Sequence, residues 1–266
     1  MNNHLFCFGF GYVAKSLALS LSDWKITGTH NNLITPSVNK CIFNAEVELD
    51  LSLLDDVTHI LISIPPTEDG DLVYRRFSEY FKNLKNLSWI GYISSTSVYG
   101  DHLGKWVDET STTIPIDNSG KNRLIAEKQW FSTKLPVNIF RLAAIYGPGR
   151  IPPRLTRINK DNHYFSRIHL VDIVQMIKKV MLSPKLGEIF NVADDFPCPQ
   201  HEPVSFACQL LNKNIPPLID FNQANLSLNM RNYYLSSKKV SNRKIKNIYG
   251  IELIYPSYKE GLRDLL

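Results

Sequence analysis

Residues 9–14, GFGYVA, place glycines at Gly9 and Gly11 and a small residue at Ala14. Between a strand and a helix that spacing serves a dinucleotide: Gly9 permits the tight turn, Gly11 lets a pyrophosphate approach the backbone, and Ala14 lets the helix pack on the strand. Phe10, Tyr12 and Val13 complete the turn and the helix start, whose amides and partial positive charge suit phosphate oxygens. About twenty residues on, an NAD-selective site places a carboxylate for the ribose hydroxyls. Here the run is Thr27, Gly28, Thr29, His30, Asn31, Asn32. An uncharged, hydrogen-bonding end accommodates a 2′-phosphate better than a carboxylate does, so the cofactor expected is NAD(P), with a lean toward NADP. His30 and Asn31 are either cofactor contacts or plain turn residues.

Other polar groups are candidates for different chemistry. The stretch NSGKNRLIAEKQ, residues 118–129, reads as a helix whose first turns offer the cations Lys121 and Arg123 but no tyrosine or histidine. Arg150, Arg154, Arg157, Lys160 and Arg167 either receive a phosphate or carboxylate of a substrate, as forked guanidinium groups do, or form a solvated basic loop. Asp108 and Glu109 are adjacent and point apart, which suits a turn better than paired acid-base work. Asp194 and Asp195 lack the histidines or spaced oxygen ligands of a metal site, and no metal is expected. Cys7, Cys41, Cys198 and Cys208 show no CxxC or Cys/His spacing and read as reduced, mostly buried thiols.

These groups need a scaffold, and the apolar pattern supplies one. Short, β-branched and aromatic runs occur at His4–Phe8, Lys25–Thr29, Cys41–Phe43, His59–Ile64, Trp89–Ser94 and Val137–Arg141. Their continuous apolarity is what a parallel strand covered on both faces requires. Val13–Leu21, Leu72–Leu84 and Ser119–Phe131 carry apolar residues at helical spacing. A βαβα rhythm predicts an α/β fold, a doubly wound parallel Rossmann sheet with helices on both faces. The rhythm breaks after residue 150, at Pro152-Pro153. Beyond the break lie Phe165–Leu170, a helix over Val171–Met181, a strand at Glu188–Val192 and a mixed tail. The expected organisation is therefore a nucleotide-binding domain over 1–150 and a smaller C-terminal α/β substrate lobe over 151–266, with elements returning to the sheet.

At 44% hydrophobic and 21% charged residues the chain can bury a full core. Its formal charge of +5 is diffuse and makes no basic arm, which argues against nucleic-acid partners. The first residues, MNNHLFCFGFGYV, lack a basic segment ahead of an apolar one, and no apolar run is long enough to span a bilayer. The expectation is a cytoplasmic protein, monomer or homodimer, with no membrane partner.

The stretch YISSTSVYGDHLGKWVDET, residues 92–110, resembles the extended and atypical short-chain dehydrogenase/reductase proteins, the superfamily of nucleotide-sugar epimerases and dehydratases. RLAAIYGPGR at 141–150, RIHLVDI at 167–173, FNVADD at 190–195, ISIPPTEDGD at 62–71 and IYPSYKEGL at 254–262 extend the likeness along nearly the whole chain, and its pattern is that of a compact atypical branch. The resemblance implies NAD(P) across the strand ends. Ser94, Ile64, Pro65 and Ala144 then lie at the cofactor, Ser95 supplies the catalytic hydroxyl with Thr96 beside it, and Ser97 lies at the substrate. It implies a substrate role for Arg150, Arg167 and His169, a helix-start brace at Asp172, and a place near the nicotinamide for Tyr146, as a pocket wall or a proton donor like Tyr99. It also implies a Tyr-x-x-x-Lys pair, whose tyrosinate exchanges a proton while hydride passes to or from the nicotinamide. Here Ser119 and Arg123 hold those positions. Serine cannot replace a phenol. Arginine does not cycle a proton, although its fork of donors holds a ribose or phosphate. Two functions are consistent with this pattern: an NAD(P)-dependent oxidoreductase or epimerase-like enzyme on a small polar or phosphorylated substrate, or a non-catalytic NAD(P)-binding sensor or scaffold.

Overall fold

The computed structural model describes residues 3–31, 40–44, 46–151 and 156–266. Asn32, Pro152, Pro153 and Arg154 lie outside the described residues. Seven strands form one parallel sheet: β1 (His4–Phe8), β2 (Lys25–His30), β3 (Lys40–Ile42), β4 (His59–Ile62), β5 (Trp89–Ser95), β6 (Val137–Leu142) and β7 (Ile189–Val192). Their order across the sheet is β7-β6-β5-β4-β1-β2-β3. The order reverses direction at β1, as in a doubly wound fold. Every residue of β1, β4 and β6 is buried, which accounts for their mostly apolar sequences. Helices α1 (Tyr12–Leu19), α2 (Leu72–Phe81), α3 (Asn118–Phe131) and α4 (Leu170–Leu182) fall where helical spacing predicts them.

The chain divides into two compact units. The first comprises Met1–Ser94, Lys121–Arg141 and Val174–Phe190, and the second Ser95–Gly120, Leu142–Ile173 and Asn191–Leu266. Each crossing from one to the other falls in the last residues of a sheet strand (β5, β6, β7) or the first residues of a helix (α3, α4). The first unit has an aromatic core in which Phe8 packs on Phe43, Phe77 and Phe81, and Trp130 stacks near Phe81. Asp71 begins α2 by accepting the Tyr74 amide at 2.7 Å.

The second unit is built from short parallel pairs: Arg167–His169 with Ala144–Tyr146, Leu218–Asp220 with Arg157–Asn159, and Lys239–Val240 with Trp106–Val107. A strap at 236–238 bonds to residues 100–104 of the same unit. The Ser236 hydroxyl and Lys238 Nζ both donate to the Gly100 carbonyl, Asp101 accepts the Ser237 amide, and the amides of His102 and Gly104 donate to the Ser237 carbonyl. No helix among the described residues is long and apolar enough to cross a membrane.

Candidate nucleotide loop and hydroxyl turn

In the first unit, β1 ends in a turn that only glycine can make. Gly9 has φ of +89°, and a Cβ there would lie 2.7 Å from Ser63 Oγ. Thr29 of β2 anchors the turn twice: its hydroxyl accepts the Gly9 amide at 2.8 Å and its carbonyl accepts the Phe10 amide at 2.9 Å. Ser63, after β4, donates to the Gly9 carbonyl at 2.6 Å. Gly11 begins α1 without a side-chain cap, and a Cβ on it would meet nothing within 4 Å. The backbone beside Gly11 is thus open, while Val13 and Ala14 are buried against the sheet. An uncapped helix start with an open approach is an anion receptor, and these residues fit a pyrophosphate.

Phe10 lies over Gly28, where a Cβ would come within 2.4 Å of its ring, and meets His30 edge-on. His30 is half-buried at the end of β2 and Asn31 is exposed beside it. Ile64 is half-buried beside Gly9, and Pro65 is exposed. Two other expected cofactor residues have internal duties. Ser94 is buried and donates to Glu127 Oε1 at 2.5 Å, so its hydroxyl serves the interior instead of a ligand. Arg141 Nε and Nη2 donate to both Glu127 oxygens at 2.7 to 3.2 Å, completing a buried fork. Arg123 is half-buried and donates from Nη1 to the Ile93 carbonyl at 2.7 Å, which holds the end of β5 to α3.

In the second unit, Ser95 caps a 3-10 turn over Thr96–Tyr99 by accepting the Ser97 amide at 3.1 Å. Ser95, Thr96 and Ser97 are half-buried, and Ser97 Oγ has no hydrogen-bond partner among the described residues. The first turn of α3 packs on this turn through Gly120, where a Cβ would lie 2.8 Å from the Ser97 carbonyl. Ser119, which the resemblance sets against the family's tyrosine, is exposed. Neither alternative phenol is free. Tyr99 donates to Asn191 Oδ1 at 2.8 Å, and Tyr146 donates to the Ser257 carbonyl at 3.2 Å. Burial, and then the charges of Asp194 and Asp172, push the Tyr146 phenol far above its ordinary range.

Arg167 is buried and donates to the Phe165 carbonyl and to Cys198 Sγ. His169 is fully buried between the rings of Tyr146 and Tyr255; its Nδ1 accepts the Val171 amide, which leaves the proton on Nε2. Ala144 and Arg150 are exposed, Arg150 closing a tight turn with Gly147. Asp172 does not cap its own helix: its oxygens accept the amides of Ile254 and Tyr255 at 2.8 and 3.0 Å. Asp108 organises a turn through Thr110 and Ser111, and Glu109 accepts the Asn191 amide. Asp195 pairs with Lys246 at 2.8 Å. Among the described residues no group of three His, Cys, Asp or Glu could hold a metal.

Sequence reasoning missed Lys238. It lies in an undistinguished SSKK run, yet it is 9% exposed and its amine is pushed down to about 8 by burial, against the pull of Asp101 and Asp117. Nothing local announces it, because its partner carbonyl is 138 positions away.

No protein-family model matches the chain. Protein YeeZ of Escherichia coli (strain K12) is 31% identical over 208 residues, 69% of this chain and 75% of that protein. A functionally unknown conserved protein from Silicibacter pomeroyi DSS has a structure with TM-score 0.92 and 38% identity, covering 99% of this chain and 98% of that one. The UDP-glucuronic acid 4-epimerase of Bacillus cereus, solved with NAD, shares the fold at TM-score 0.78 and 17% identity, over 98% and 97% of the two chains. By sequence and fold together, this chain belongs to the family of YeeZ, within the NAD-dependent epimerase/dehydratase-like short-chain dehydrogenase/reductase proteins.

Proposed function

We propose that the chain binds NAD(P) through its first unit and acts as an oxidoreductase or epimerase-like enzyme on a small polar or phosphorylated substrate. The observation that carries this reading is the turn at Gly9–Gly11: of positive φ at Gly9, pinned by Thr29, and open at Gly11 beside the uncapped start of α1. Gly9 to Ala14 would hold the pyrophosphate, His30 and Asn31 the adenosine ribose, and Ile64 and Pro65 would line the cofactor. The bound group gives or takes a hydride. The uncharged end of β2 favours NADP. Arg123 keeps further donors for a ribose or phosphate beyond its bond to Ile93.

Ser95 and Thr96 would orient the substrate oxygen, and Ser97, Arg150 and Arg167 would line the substrate, whereas His169, fully buried between Tyr146 and Tyr255, would not touch it. Tyr146 serves as a wall. A phenol that donates to a buried carbonyl and resists ionisation is a poor proton carrier. The missing phenol and lysine at Ser119 and Arg123 favour a second reading, a protein that binds NAD(P) without turnover.

Calorimetry with the four nicotinamide nucleotides tests binding, and Gly11→Ala is the informative variant. A methyl at Gly11 meets no protein atom, so stability is expected to hold while affinity falls at least tenfold. No nucleotide bound by the wild type overturns both readings. A screen following reduced-cofactor absorbance then separates them: turnover lost in Ser95→Ala supports the enzyme, and tight binding with no turnover supports the sensor.

A further inference from the structure

At the N-terminal ends of β1, β2 and β4, within the first unit, polar side chains form a chain that the nucleotide reading does not use. His4 is 1% exposed and both of its ring nitrogens are engaged: Nδ1 meets Asp56 Oδ1 at 2.8 Å, and Nε2 meets the Thr27 hydroxyl of β2 at 2.9 Å. Asp56 lies at the surface and also binds Lys25, whose Nζ is 2.7 Å from Oδ2. On the β4 side, Thr58 Oγ1 accepts the His4 amide at 2.9 Å, donates to the His4 carbonyl at 3.1 Å and meets His59 Nδ1 at 2.8 Å. Asp56, Lys25 and His59 are the titratable groups that meet this chain.

The bonding fixes where the protons sit. Lys25 holds the Asp56 carboxyl below its ordinary range, so the ionised group only accepts and His4 Nδ1 carries a hydrogen. Thr27 is 5% exposed, and its hydroxyl has no other partner among the described residues. With Nε2 bare, that hydroxyl donates to it and both hydrogens have an acceptor. A second proton would make Nε2 the donor; the Thr27 hydrogen would then lose its acceptor in the interior, beside a buried imidazolium. Burial holds the His4 imidazole below its ordinary 6.5 against the pull of Asp56, and Lys25 adds to the effect.

The two strands meet through two hydroxyls. Thr27 and Thr29 lie on one face of β2 and each bonds β1, Thr27 at His4 and Thr29 at the Gly9 amide. We propose that Asp56, His4 and Thr27 form an acid-sensitive clamp between β1 and β2, closed while His4 is neutral and released when His4 takes a second proton. An imidazole freed from the clamp takes up a proton near 6.5 and the clamped one resists it, so falling pH favours the open form from 6.5 downward. The clamp does not depend on the nucleotide reading.

The test is an NMR titration of the His4 ring nitrogens in the wild type. The expected result is the Nδ1–H tautomer at about pH 7 and a midpoint below 6.5; the Nε2–H tautomer, or a midpoint at or above 6.5, overturns the proposal. Amide hydrogen exchange reads the release. The Lys25 and Thr58 amides, which donate to the Asn3 and His4 carbonyls, should lose protection about tenfold between about pH 7 and about pH 5 relative to the Ile139 amide of β6. Equal loss at all three, or no loss, overturns the clamp. His4→Gln removes the titrating ring and keeps a polar side chain, and it should abolish the difference. A difference that persists in this variant belongs to another group and also overturns the proposal.

Discussion

The Glu127–Arg141 fork of the first unit and three buried charges of the second are satisfied in opposite ways. In the first, Glu127 and Arg141 are 2% and 3% exposed and meet as a bidentate fork, with Ser94 adding a donor. In the second, Lys238 bonds a carbonyl and a hydroxyl, Arg167 a carbonyl and a thiol, and Asp194 an amide, each buried without an opposite charge in hydrogen-bond contact. A paired charge serves the fold. An unpaired one costs free energy unless it changes protonation or meets a charged ligand, the condition found where side chains do chemistry. The contrast is between a fork whose two charges compensate each other and three buried charges that meet only neutral groups in hydrogen-bond contact among the described residues.

Breaking the fork is the most severe test. Glu127→Ala leaves Arg141 buried alone and is expected to cost about 3–5 kcal/mol by denaturant unfolding. A loss under about 1 kcal/mol would show that the pair is not a scaffold element. Gly100→Ala probes the strap of the second unit. Gly100 has φ of +67°, and a Cβ on it would lie 1.9 Å from the Ile114 carbonyl. Backbone strain and overpacking together predict a loss of about 2–4 kcal/mol.

Lys238 sharpens the contrast through pH. Its folded value of about 8 lies below the ordinary 10.5, so between those values the unfolded chain binds more protons than the native one. Stability should therefore rise as pH climbs from about 8 to 10.5, by up to about 3 kcal/mol, and Lys238→Met should flatten that slope. A slope that persists in the variant assigns it to another group. The smallest effect is expected from Ser94→Ala. It removes one donor to a carboxylate that Arg141 still satisfies, and about 1–2 kcal/mol should be lost with the fork intact.

How much of this was legible depends on the range of the interactions. β1 and β4 to β6 were readable because a doubly covered parallel strand has to be continuously apolar, and α1 to α3 because one helix face has to be apolar. The Gly9 turn was readable because its conformation and its open approach are properties of glycine itself. Arg123 was readable as a cation in the first turns of α3 but not as the anchor of the Ile93 carbonyl. Tyr146 could be placed near the strand ends. That its phenol would be used by the Ser257 carbonyl, 111 residues on, could not.

By itself, then, the sequence determined the α/β rhythm, the glycine turn and the family, because each is a local pattern of residue type. The tertiary structure alone decided which polar groups are paired. Glu127 with Arg141 and Lys238 with Gly100 join residues from separate segments of the chain, in positions buried from solvent. Only packing removes the water that would otherwise screen them.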